Sequence, residues 1–129
     1  MEPYFFHLIH KGNLENVKDF IYFFKTININ CAYEDQFGNK TTPLVLASAE
    51  GHFEIVKYLM NFSAKNTTEA MLKACLHGNF EIAKYFFNDF PYSKPADINA
   101  KDKYGNTALD IAKEFKNKDM IDFLESRIK

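Results

Sequence analysis

The sequence predicts an all-α solenoid of four helix-turn-helix units, with hairpin fingers between the units and the middle finger shortened. Three observations carry the prediction. A ten-residue pattern, GHFEIVKYLM at 51–60, recurs as GNFEIAKYFF at 78–87 and as GNLENVKDFI at 12–21, while KNKDMIDFLE at 116–125 keeps the apolar positions with Lys in place of Gly. Within the pattern Phe53, Ile55, Val56, Leu59 and Met60 describe one broad helical stripe, and Glu54 and Lys57 take the other face. Ahead of it, TTPLVLASAEG reads as a second short helix: Thr42 caps it, Pro43 sits where its missing N–H costs nothing, and Gly51 closes it in the left-handed conformation.

The approximate units are 1–33, 34–65, 66–97 and 98–129. The first, with PYFFHLIHKGNLENVKDFIYFF, has no hairpin in front and reads as a cap. The second opens with a finger near 33–41, where TININCAYEDQFGNKTT carries extra residues around a turn. The third follows NFSAKNTTEAM, which is too short for a full finger. The fourth is preceded by DINAKDKYGNTALDIA, in which Asp102, Gly105 and Asn106 form a turn before the Thr107 cap, so a finger is expected near 99–106. It ends on Lys116, Lys118, Asp119, Asp122, Glu125 and Lys129. Polar outer faces on the terminal units keep a solenoid from extending, so a monomer is expected. Two fingers should flank a notch.

A hairpin turn followed by two helices, repeated, resembles the ankyrin-repeat family. The matching residues are Asp35, Gly38, Thr42, Pro43, Leu44, Ala47, Gly51 and His52 in the second unit, and Asp102, Gly105, Thr107, Ala108, Leu109 and Ala112 in the fourth. The spacing departs from the family's repeat of about 33 residues: Gly12 to Gly51 is 39 residues, Gly51 to Gly78 is 27, and Gly78 to Lys116 is 38. The histidine that usually follows the T-P-L signature is replaced by Phe6, Val45, Leu72 and Asp110. That removes a hydrogen bond, and the fourteen phenylalanines are the expected compensation, at about 1.5–3 kcal/mol for each one fully buried.

The resemblance implies a single ankyrin-repeat domain over 1–129 that grips a protein partner with its finger tips and the exposed side of each first helix. Carried onto this chain, the tips are Glu34, Gln36, Phe37, Asn39 and Lys40 in one finger and Lys101, Lys103, Tyr104 and Asn106 in the other. The first-helix positions are His10 and Lys11, Ala49 and Glu50, Leu76 and His77, and Glu114 and Phe115. Phe37 and Tyr104 stand immediately before a turn glycine, where the family usually has a small polar residue. An aromatic ring there either anchors an interface or folds back onto its own helix. Leu76 and His77 belong at the floor of the notch.

The search for other chemistry yields structural readings. No phosphate loop, HExxH or GxSxG motif is present. His7 and His10 lie one turn apart and Cys75 lies two residues from His77, but zinc needs three or four convergent ligands and only pairs can be assembled. No metal and no cofactor is expected. Cys75 occupies a small, close-packed position, where it should be buried and inert. Cys31 lies in a turn and could be exposed, with nothing nearby to activate it. Asp35 has the position of a turn former, and His52 one that connects helices.

A formal charge of −1 and a single arginine, Arg127, offer little attraction for nucleic acid or an anionic membrane. The lysines at 113–118 are balanced by Asp119, Asp122 and Glu125. No apolar run approaches a membrane span, no signal peptide is readable, and two cysteines without CxxC spacing suit a reducing compartment. The chain is therefore expected to be a cytoplasmic, non-enzymatic protein-interaction scaffold, acting as inhibitor, adaptor or host-directed effector. The excess of Lys, Asn, Ile, Phe and Tyr, as an AT-rich genome produces, motivates the effector variant, with delivery into a host cell. The alternatives are a small helical enzyme using Cys75, His77 or carboxylates, and a nucleic-acid-associated protein.

Overall fold

The computed structural model describes residues 2–34, 38–90 and 93–128. Within them eight helices form four antiparallel pairs: α1 (Glu2–Lys11) with α2 (Leu14–Phe23), α3 (Pro43–Glu50) with α4 (Phe53–Met60), α5 (Thr67–Leu76) with α6 (Phe80–Tyr85), and α7 (Ala108–Glu114) with α8 (Lys118–Ile128). The first helices stack as an inner row, α1 on α3 on α5 on α7. Small side chains permit the approach: Ala47, Ala70, Ala74, Ala108 and Ala112 are fully buried along that row.

The expected helix ends form. Thr42 accepts the Val45 N–H at 3.3 Å, Pro43 takes the first turn, and Gly51 adopts φ 82°. In the fourth unit Thr107 accepts the Asp110 N–H at 3.2 Å while Asp110 Oδ2 accepts the Thr107 N–H at 3.0 Å, a reciprocal capping box. One of the residues in the missing-histidine position thus supplies its own tie, and the other three, Phe6, Val45 and Leu72, join the core. Lys116, in the glycine position, is forced to φ 57°.

Side chains after the helix-closing glycines lace neighbouring units together. The His52 ring bonds the His10 carbonyl at 3.0 Å through Nε2. Asn79 Nδ2 donates to the Ser48 and Ala49 carbonyls at 3.1 and 3.0 Å. His52 therefore does connect helices, across a unit boundary.

The fingers differ. In the first, β1 (Tyr33–Glu34) pairs antiparallel with β2 (Lys40–Thr41), Tyr33 opposite Thr41; its tip, with Asp35, Gln36 and Phe37, lies outside the described residues. The second is a tight turn without a strand pair among the described residues. Asp102 N–H donates to the Asn106 carbonyl at 2.8 Å, and Asp102 Oδ1 accepts the N–H groups of Tyr104 and Asn106 at 2.8 and 3.0 Å. Between α4 and α5, residues 61–66 form no finger, with Ser63 and Asn66 at φ 60° and 66°.

Two expectations need correction. Cys31 is buried, because its N–H closes a turn onto the Asn28 carbonyl at 3.0 Å and its side chain joins the core. The first unit is not polar outside: Tyr4 is 57%, Tyr22 66% and Phe23 73% exposed. A run such as FIYFF spans more than a full helical turn, so Phe20 and Ile21 face inward and the next two rings must face water. The phenylalanine compensation is accordingly partial, with Phe5, Phe6, Phe20, Phe80, Phe86 and Phe87 buried, but Phe23, Phe24, Phe62 and Phe115 exposed. In the repeated stripe Val56 and Leu59 are core, whereas Phe53 is half-buried and meets Tyr85 edge-on at 5.5 Å. The opposite end is polar as expected, with Lys118, Asp119, Asp122 and Glu125 exposed.

Candidate functional site: a preformed groove beside the second finger

The notch takes definite shape on one side. A groove of about 750 Å³ runs between α5 and the segment 94–103, over a floor that includes Leu72, Leu76 and Ala100. Its far wall is stitched to the scaffold by side-chain to backbone hydrogen bonds. Thr67 Oγ1 donates to the Lys94 carbonyl at 2.9 Å, Asp97 N–H donates to Thr68 Oγ1 at 2.9 Å, and Ala96 N–H donates to the Phe86 carbonyl at 2.7 Å. Nearby, Ser93 donates to the Ala64 carbonyl at 2.7 Å, and Lys65 N–H donates to Asn30 Oδ1 at 2.8 Å. The short 61–66 connection is thus held from both sides, and the space that a finger would have filled stays open.

The sequence-derived site residues divide around this groove. Leu76 and Lys103 line it. Tyr104 stands beside it, 69% exposed, with Lys103 Nζ 5.2 Å from the ring centroid, so the ring does not fold back onto α7. Asn106 spends its backbone in the turn, and His77 is an exposed residue ending α5. Phe115 is 49% exposed and meets Phe80 edge-on at 5.4 Å, closing the junction over Gly78. Glu50 and Asn39 belong to a second, smaller hollow of about 390 Å³ between α1 and the first finger, where Glu50 is bonded to His10 Nδ1 at 2.5 Å. Gln36 and Phe37 are outside the described residues. Of the wall residues, Lys101 is one of the expected finger-tip positions, whereas Lys94 and Asp97 escaped the sequence reading; the NDFPYSKPAD loop at 88–97, which lengthens the third interval, is the one signal that could have pointed to them.

Among the described residues, Cys75 is not brought to a histidine or carboxylate. Cys75 Sγ lies 3.9 Å from Met71 Sδ in the core, and burial pushes its thiol up to about 12. A thiol in that state is no nucleophile near neutral pH. No group of three or more His, Cys, Asp or Glu side chains among the described residues could hold a metal ion. No helix among them is long and apolar enough to cross a membrane.

A search of curated proteins finds no match. The family model for ankyrin repeats, in three copies, matches residues 5–102, which spans the first three helix pairs and stops at the turn ahead of α7. Proteins built from these repeats typically are non-enzymatic modules that mediate protein–protein interaction. With that match over most of its length and four stacked helix pairs, the chain belongs to the ankyrin-repeat family.

Proposed function

We propose that this chain is a non-enzymatic binding module that occupies the surface of a protein partner with its finger tips and inner helix face, as an inhibitor, adaptor or host-directed effector. One observation supports this most directly: Tyr104 holds an aromatic ring in solvent on a turn that is fixed by the Asp102 carboxylate, beside an apolar-floored groove. An exposed aromatic on a rigid support loses little entropy on binding and supplies a large contact area. The test is capture of a partner from cell extract on the immobilised chain, followed by affinity measurement with purified partner. Tyr104→Ala should weaken binding by about 30-fold or more, as expected of an anchor, while Lys118→Ala on the far outer surface leaves it unchanged. Equal affinity of the wild type and Tyr104→Ala would remove the tip from the interface.

A further inference from the structure

We propose that the groove between α5 and the 94–103 segment seats an extended acidic peptide segment of the partner, with its apolar side chains on Leu72 and Leu76 and its carboxylates among Lys73, Lys94, Lys101 and Lys103. This rests on the protein-binding reading above and names what the groove receives.

Charge complementarity is the first argument. The chain as a whole carries a formal charge of −1, yet four lysines line this groove, and Lys65 lines the hollow that adjoins it at Asn66, Thr67 and Lys94. None of these lysines has a carboxylate within 4.0 Å among the described residues, whereas Lys18, Lys57, Lys84 and Lys118 are all paired. Three carboxylates also line the groove: Glu69, Asp97 and Asp102. Two of them are engaged by their own turns, Asp97 Oδ1 accepting the Asn99 N–H at 2.9 Å and Asp102 Oδ1 accepting those of Tyr104 and Asn106. Asp102 Oδ2 is shielded from solvent. From α7, Asp110 feels Lys101, but its carboxylate is committed to the Thr107 N–H. Glu69 is exposed in the first turn of α5, so four lysines against three carboxylates leave the lining with a formal excess of one positive charge, and no carboxylate among the described residues holds a lysine ammonium of the groove within 4.0 Å.

The geometry selects among anions. The N-terminus of α5 opens into the groove with no side-chain cap from Asn66, and its positive end, partly offset by Glu69 in the first turn, adds to the lysine field. No aromatic ring lines the groove itself and Tyr104 beside it is a single ring, so single-stranded nucleic acid would lack the succession of stacking platforms it uses. The floor is apolar and the walls are held by hydrogen bonds before any partner arrives, which suits alternating apolar and acidic side chains of an extended chain. Lysines act as flexible point charges and do not impose the bidentate geometry of arginine.

The test uses fluorescence anisotropy on the full chain with three labelled peptides of about twelve residues, roughly 40 Å when extended. All three carry leucines at the same positions and differ only in having Glu, Gln or Lys between them; a single-stranded oligothymidylate is the fourth probe. The Glu peptide should bind at least about tenfold more tightly than the Gln peptide, and the Lys peptide should not bind. Raising salt from about 0.05 to about 0.5 M should erase most of that preference. Lys73→Glu with Lys101→Glu should reverse the order of the Glu and Lys peptides without altering the melting temperature. Lys94→Gln with Lys103→Gln provides a second, milder pair that should weaken the Glu peptide alone. Equal binding of the Glu and Gln peptides, no binding of the Glu peptide below about 1 mM, or a preference for the oligonucleotide overturns the proposal. A captured partner that depends on Tyr104 but ignores the lysine pairs also overturns it, and leaves the protein-binding function standing.

Discussion

Gly12→Ala tests how the units are joined. Gly12 has φ 78°, and a Cβ built there would lie 2.5 Å from His52 Cε1 and 2.7 Å from Nδ1. The substitution therefore imposes two costs: about 1–2 kcal/mol for placing a side chain in the left-handed region, and about 0.5–1.5 kcal/mol for displacing His52 from the His10 carbonyl. Gly105 separates them. It has φ 83° but nothing within 4 Å of its built Cβ, so Gly105→Ala carries only the backbone cost of about 1–2 kcal/mol. Urea unfolding of the two variants should show Gly12→Ala less stable than Gly105→Ala by about 1 kcal/mol. In a His52→Ala background that excess should vanish, because the ring it displaces is gone. Should Gly12→Ala match Gly105→Ala in the wild-type background, or should the excess survive without His52, the tie between the first two units is not the one described.

Two further changes probe helix ends. Lys116→Gly should raise stability by about 0.5–1 kcal/mol, since a lysine at φ 57° gives way to the residue that the other units use there; a loss of stability in chemical unfolding would show that the lysine side chain contributes more than its backbone costs. Asp110 is held below the ordinary carboxylate range by the Thr107 backbone N–H first and then by its hydroxyl. A depressed folded pKa contributes stability that is present above the unfolded value of about 3.9 and is lost as pH falls through the lower folded value. Asp110→Asn should therefore flatten that part of the acid limb of the stability profile, and an unchanged limb below about pH 4 would contradict the capping box.

The parts of this fold written in local spacing were legible. Thr42, Pro43, Gly51 and Thr107 announce helix ends because capping acts over three or four residues, and the stripe of Val56 and Leu59 follows from helical period alone. What the chain joins across longer intervals was not readable. Thr67 with Lys94 and Ser93 with Ala64 are 27 and 29 residues apart, and no spacing rule marks such pairs, so the groove wall stayed hidden although the notch itself followed from a shortened interval. Leu76 and Lys101 were found because they sit at known helix and finger positions, and Lys94 was missed because an inserted loop has no period. Tyr22 and Phe23 illustrate the converse error: apolar residues in an unbroken run cannot all face inward, and the letters alone do not say which are left outside.

The ties between units are unequal, and this bears on how the stack opens. His52 joins the first pair of units and Asn79 the second, but at the third junction Asn117 turns its side chain to its own helix, accepting the Met120 N–H at 3.0 Å, and the α5–α7 contact is less extensive than that between α3 and α5. In a linear array, where stability is summed from neighbour to neighbour, the last unit is the first to fray. The groove has one wall in α5 and the other in the segment that leads into α7. The hydrogen bonds that hold its wall reach only as far as Asp97, so a chain that continued to Lys101 and Lys103 would span the looser stretch beyond, and its binding is expected to slow the exchange of the α7 amide hydrogens.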